Sequence, residues 1–486
     1  MERTTFLVLT GFVGLYIAVR AWLLPMTHDE AATCFNHVPR LVVDTLTFQK
    51  EANPNNHILN TLLIKMFVGL FGWNQLTARI PALIGGFLYL WASNRLARRI
   101  STHGGVRIFA LLLLLGNPFL LEFFALARGY GLAAGLLLAA VYQASLFAEW
   151  NEQRYVLRAV VFAGLAVYAN FTLLLFFAPF VALLFFLSAQ ANRGWKAFWE
   201  TNRPALKALG IFILLWIVPL QRLSKDSEIV NWVQMPSFFI TVKQLVQSAI
   251  ANNPYLGENT VTTLAWCLVV GVLAGWVLAI AHWRSQGWQW AKAPGAWMAA
   301  LLAGAVVANF MQVWLTKTPF LQARLSLFYY PLTALLLAWM GQWLWARFGK
   351  MAWVYMAPVL FLLLLNNIRV LNLQVAHEWW YDRSTFNVLD YFKQLHEKEN
   401  PAEPYILDMN WIMLNSFGFH LELAQPEFAR YVRKHEGWHR DQPARPDAGY
   451  EFYYATGTED AQPLLNNFDI VYRAPNLGFL LLRKRK

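Results

Sequence analysis

Three neighbouring residues after the first long apolar run, His28-Asp29-Glu30, could do chemistry. A carboxylate in such a place can take a proton from a nucleophile or help hold a divalent cation. The plain alternative is the solvated start of a loop. A second group is the polar turn Asn53-Pro54-Asn55-Asn56-His57, which leads into a short apolar stretch. Asn and Pro are ordinary turn and cap formers, whereas His57 could hydrogen-bond a substrate hydroxyl or a carboxylate. A third group runs from Glu122 to Tyr130 and contains Arg128. Either Glu122 and Arg128 form an ion pair, or the Arg128 guanidinium, with Tyr130 beside it, grips a phosphate. The fourth runs from Lys317 to Arg324, followed by Tyr329-Tyr330-Pro331. Its cations either extend to lipid headgroups or face an anionic lipid substrate. Arg79, just before Pro81, reads as structural, and Arg20 as a side chain that snorkels or pairs locally.

The elements that must position these residues are set by composition. Of 486 residues, 57% are hydrophobic and 14% charged, against roughly 25% charged in a soluble globular domain. A soluble enzyme, a secreted disulfide scaffold and a disordered chain are excluded. The sequence is that of an all-α polytopic membrane protein. Residues 1–366 hold 26 Lys+Arg against 12 Asp+Glu, and residues 367–486 hold 14 against 16. The net charge of +12 therefore belongs to the apolar part and reads as the positive-inside rule rather than as nucleic-acid binding. Cys34 and Cys267 are far apart in unlike surroundings, so neither a disulfide nor a metal cluster is expected.

A crossing helix needs about 20 apolar residues. About eleven spans are expected, at 5–24, 77–97, 106–121, 129–148, 155–169, 172–190, 205–221, 260–283, 295–315, 325–346 and 351–367. The run 155–190 is divided at Tyr168-Ala169-Asn170, being too long for one span. The stretch 57–72 is short and reads as interfacial or re-entrant. Basic residues gather in alternate connections, which places the N-terminus inside and the tail outside. The first outer loop, 25–76, includes an amphipathic stretch at Val38–Phe48. The other long outer loop, 222–259, carries a helix near Phe238–Ile250. Residues 368–486 read as a small α/β extracytoplasmic domain, with a helix at Asn387–Glu399, a strand at Tyr405–Asp408 and a hairpin over Asp469–Lys484 turning at Pro475-Asn476-Leu477-Gly478.

The acidic pair after the first span, the Asn56-His57 turn, Ala78-Arg79-Ile80-Pro81, the segment Leu126–Leu132 and the Arg324–Pro331 region follow one another in an order that resembles the GT-C superfamily of membrane glycosyltransferases. The resemblance covers about residues 1–350. More narrowly, the sequence is similar to the family of protein O-mannosyltransferases and bacterial aminoarabinose transferases. The resemblance implies a transmembrane glycosyltransferase domain over 1–367 with a catalytic first outer loop. It also implies a polyprenyl-phosphate sugar donor, hexosyl or pentosyl transfer to a protein, lipid or glycan hydroxyl, and inversion at the anomeric centre. Asp29 then becomes the base, with Glu30 its partner. Arg128, Tyr130 and Arg324 fall to the donor phosphate, and His57, Glu122 and Lys317 to substrate binding. Some relatives carry a second outer acid at the position of Glu122 and use a divalent cation. The His-Pro-Pro of many relatives reads His57-Ile58-Leu59 here. The expected setting is the plasma (inner) membrane, with the catalytic loop and tail on its outer, periplasmic side. A polysaccharide ligase or polymerase would share this architecture. A lipid or solute transporter would need polar groups and broken helices at the bilayer midplane, which the sequence scarcely offers.

Overall fold

The computed structural model describes residues 2–49, 55–192, 194–224, 237–250, 256–286, 294–435, 449–474 and 478–485. Asn53, Pro54 and the hairpin turn at 475–477 lie outside them. Among the described residues, eight helical stretches are long and apolar enough to cross a membrane: Thr4–Leu23, Gln75–Ile100, Gly129–Trp150, Phe171–Ala191, Trp195–Leu223, Glu258–Ser285, Gly295–Thr316 and Tyr329–Val370. The last bends where Gly349 takes φ +55°, which makes two helices, Tyr329–Phe348 and Trp353–Val370. The protein is a multi-pass membrane protein with a small C-terminal sheet domain.

One of the expected spans comes out short. The run 106–121 is a 12-residue helix, Gly104–Leu115, followed after Gly116-Asn117 by a separate turn of helix, Pro118–Phe123. Asn117 Oδ1 accepts the Leu120 N–H at 3.0 Å, and Pro118 supplies the preset φ of a first helical position. Twelve residues rise about 18 Å, well short of the hydrocarbon layer. The run 155–169 becomes Gln153–Ala169, of 17 residues. It ends at the anticipated division, where Asn170 is extended (φ −159°, ψ 113°) and caps the next turn through Thr172 N–H at 3.2 Å. The 57–72 stretch is the helix Ile58–Phe71. The amphipathic stretch contains Val42–Thr47, stopped by left-handed Phe48.

The chain forms two compact units. The larger takes Met1–Ala18, Leu41–Leu62 and Pro81–Leu371. Within it, small residues let helices touch backbone to backbone, as membrane bundles do. A Cβ on Gly135 would lie 2.2 Å from Gly85 O, and one on Gly85 2.5 Å from Leu132 Cα.

The smaller unit takes Val19–Arg40, Leu63–Ile80 and Asn372–Lys486. The tail thus packs with two segments from the start of the chain. Its sheet has five strands: β1 (Tyr405–Met409), β2 (Val432–Lys434), β3 (Phe452–Ala455), β4 (Phe468–Arg473) and β5 (Leu480–Lys484), in the order β2-β1-β3-β5-β4. β1 runs parallel to β2 and β3, and β5 antiparallel to β3 and β4. The strand period of two sorts the side chains. Leu407, Phe452, Tyr454 and Leu481 face a core with Val388, Leu389 and Phe392 of the helix Thr385–Glu399. Tyr453, Ala455, Leu480 and Leu482 face a second core with Ala461 and Leu464.

Candidate active-site elements

Asp29 and Glu30 open the helix His28–Asn36, which belongs to the smaller unit. Thr27-His28-Asp29-Glu30 has the spacing of a capping box, in which an acid at the third helical position reaches back to the cap residue. Thr27 N–H donates to Glu30 Oε2 at 2.8 Å. Glu30 is also clasped by Arg79, whose Nε and Nη2 donate to Oε1 and Oε2 at 2.8 Å each. Arg79 Nη1 donates to Ala21 O and Leu24 O at 3.0 and 2.7 Å, and Nη2 to Pro25 O at 2.8 Å. All five guanidinium donors are thereby used. Both side chains of this pair are fully buried. Arg79 therefore ties the end of the first span to the start of the acidic helix, and Glu30 is committed to that tie.

Asp29, 9% exposed, stands in the same first turn. Its backbone carbonyl accepts from Thr33 Oγ1 at 2.9 Å.

The residues just before Asp29 are held by the tail. Asp382 Oδ2 accepts the His28 N–H at 2.7 Å. His28 Nδ1 faces Ile412 O at 2.8 Å and so carries the ring proton, while Nε2 accepts from Asn415 Nδ2 at 3.3 Å. The Trp411 ring meets the His28 ring edge-on with centroids 5.5 Å apart. Met26 N–H donates to His420 Nε2 at 3.1 Å, and Ser416 Oγ donates to Met26 O. Burial pushes the His420 imidazole down to about 3, helped by the charge of Arg79, so it is neutral and free to accept. Burial raises the Asp382 carboxyl well above the usual carboxylate range, and the nearby Glu30 and Asp29 add to the rise. Arg20, expected to snorkel or pair locally, is buried instead and donates to the carbonyls of Asn372 and Val375.

The larger unit gathers a second set. Arg128 is fully buried, donates from Nη2 to Asn55 Oδ1 at 2.8 Å, and lies 5.9 Å from the centre of the Tyr130 ring. His57 meets that ring edge-on at 4.8 Å. Gly129 permits this meeting: a Cβ there would lie 2.1 Å from Ala169 O and 2.6 Å from His57 Cβ. Asn60 Nδ2 donates to Ala127 O at 3.1 Å and fixes the approach to Arg128. Arg128 also precedes the first residue of the helix Gly129–Trp150, whose first N–H groups have no carbonyl partner within the helix.

His57, Arg128 and Tyr130 are therefore brought into one cluster, joined by Asn55 of the same polar turn as His57 and by Asn60 of the helix that follows it. Glu122 is buried in Pro118–Phe123. Arg324 is half-buried in the turn Ala323–Ser326. Lys317 is exposed, with φ +57°, at the end of the helix Pro294–Thr316. These two cations ride on a different segment from Arg128.

Among the described residues, no three His, Cys, Asp or Glu side chains are grouped as ligands for a metal ion. With both Glu30 oxygens on Arg79, the acidic pair does not form the oxygen-rich donor set that a divalent cation takes.

No family model and no curated protein matches the sequence. Solved structures do match in fold. ArnT from Cupriavidus metallidurans in the apo state is similar over 99% of this chain and 98% of its own, with a TM-score of 0.53 and 12% identity. The same ArnT bound to undecaprenyl phosphate matches with a TM-score of 0.46 and 14% identity, over 99% of this chain and 98% of that one. An oligosaccharyltransferase from Archaeoglobus fulgidus, in complex with Zn and sulfate, matches with a TM-score of 0.45 and 11% identity, over 98% of this chain and 72% of its own. Over 99% of its length the chain shares the fold of the apo ArnT structure.

Proposed function

We propose that the protein is a glycosyltransferase that moves a hexosyl or pentosyl unit from a polyprenyl-phosphate donor to an acceptor hydroxyl of a protein, lipid or glycan. The observation that carries this reading is the commitment of Glu30 to its helix cap and to Arg79, next to Asp29, in a chain of this fold. Glu30 is consumed by Arg79 and the cap of its helix, so the base role falls to Asp29. In this mechanism Asp29 takes the acceptor O–H proton as the oxygen attacks the anomeric carbon. The bond from that carbon to the phosphate oxygen breaks, and its electron pair leaves with the polyprenyl phosphate. Attack opposite the leaving group inverts the anomeric centre.

A phosphate is already a good leaving group, so the protein need only orient the hydroxyl and stabilise the departing charge. Arg128, with Tyr130, and Arg324 are assigned to that charge. His57, Glu122 and Lys317 are assigned to substrate contacts. The reaction takes place at the outer, periplasmic side of the plasma (inner) membrane.

The test is transfer from a panel of polyprenyl-phosphate sugars by purified protein. Asp29→Asn, with wild-type thermal stability, should lower kcat by roughly a hundredfold, the scale of losing a general base. Arg128→Ala should chiefly raise the donor KM. Wild-type turnover by Asp29→Asn would overturn the assignment and leave Glu122 as the next candidate.

A further inference from the structure

The tail's interest lies in what it does to residues 26–28. A buried carboxyl is costly unless something uses it, and Asp382 is 1% exposed. Its Oδ2 serves the His28 N–H, one of the first helical N–H groups that no carbonyl within the helix can reach. Around it, Ile412, Asn415, Ser416 and His420 hold both polar backbone groups of Met26 and both ring nitrogens of His28. The next residue is Asp29. Arg79 and Glu30 fix the helix start from within the N-terminal segments, and the tail fixes it from the other end of the sequence.

We propose that Asp382 is a positioning residue for the transfer reaction: by accepting the His28 N–H it sets the first turn of the Asp29 helix, which gives the C-terminal domain a direct part in placing the base. This rests on the role assigned above to Asp29. Burial raises the Asp382 carboxyl, and the nearby Glu30 and Asp29 add to the rise, which works against a third negative charge beside them. What the position needs is an acceptor oxygen, and an asparagine supplies one.

The experiment compares full-length Asp382→Asn and Asp382→Ala with wild type in detergent, by two readouts. In hydrogen exchange, Asp382→Ala should speed exchange at least tenfold in the segment 26–34 while β1 keeps its protection, and Asp382→Asn should match wild type. In transfer from a polyprenyl-phosphate sugar, Asp382→Ala should lower kcat about tenfold with the donor KM within twofold, and Asp382→Asn should keep more than half of the wild-type kcat. Unchanged exchange in Asp382→Ala, a rise spread equally over β1, or equal loss of turnover in both variants would overturn the proposal. If Asp382→Ala fails to fold, Asp382→Asn decides: retained exchange and turnover support the positioning role, and their loss overturns it. A wild-type protein that transfers no sugar would sink the functional reading alone, since the exchange comparison needs no substrate.

Discussion

Asp29 and Glu30 are chemically near-identical neighbours in one buried first turn, and Glu30 is the one held by Arg79. Glu30 has no exposed surface and accepts hydrogen bonds from the Thr27 N–H and twice from the Arg79 guanidinium. Breaking such a buried pair by removing one charge costs about 3–5 kcal/mol, because the other is left uncompensated. Glu30→Gln should therefore lower the melting temperature measurably by thermal unfolding in detergent, whereas Asp29→Asn should leave it near wild type and lower turnover. A stable but slow Glu30→Gln would reverse the two roles. Part of this was legible: Thr27-x-x-Glu30 is a capping-box spacing, and a capping acid is structural. Arg79 as its partner was not, because 49 residues separate them and no periodic pattern links the two. Asp382 was less legible still, as one acid among the ordinary charges of a soluble-like tail.

At the level of elements, apolar periodicity located most helices, and the signals it missed are local. The leucine run before Gly116 reads on into Phe119-Leu120-Leu121, so hydropathy alone carries a span across Gly116-Asn117-Pro118. The helix in fact stops at Leu115, because an asparagine cap and a proline start a new one. In the tail, the helix Thr385–Glu399, the strand β1 and the β4–β5 hairpin follow their patterns. The parallel pairing of β1 with β2 and β3 does not, since short strands far apart in sequence leave no local trace of their partners. The element that matters most for the second cluster is the start of Gly129–Trp150, packed against His57 and Ala169 with no room for a side chain. Gly129→Ala should push that helix end away from His57. Overpacking of this kind costs roughly 1–3 kcal/mol, so a lowered melting temperature together with weaker donor binding is expected. Unchanged donor affinity would detach the His57–Arg128 cluster from the donor site.

For the whole molecule, the charge pattern makes a statement about sidedness that labelling can check. In a background with Cys267→Ser, a cysteine at exposed Ala402 in the tail should react with an impermeant reagent added outside intact cells, and one at exposed Ser285 should not. The reverse pattern would put the acidic helix on the wrong side for the proposed reaction. Ser416 would be a poor probe, being fully buried against Met26.

The pairing of residues 26–28 with partners 354 to 394 positions later has a temporal consequence. At about 5–20 residues per second of synthesis, the acidic segment emerges roughly 20 to 80 seconds before the groups that frame it. A chain released early by a premature stop carries the carboxylate but not its frame. Under the proposed function, full turnover would wait on completion of translation, and a truncated copy in the membrane should transfer sugar more slowly than the full chain.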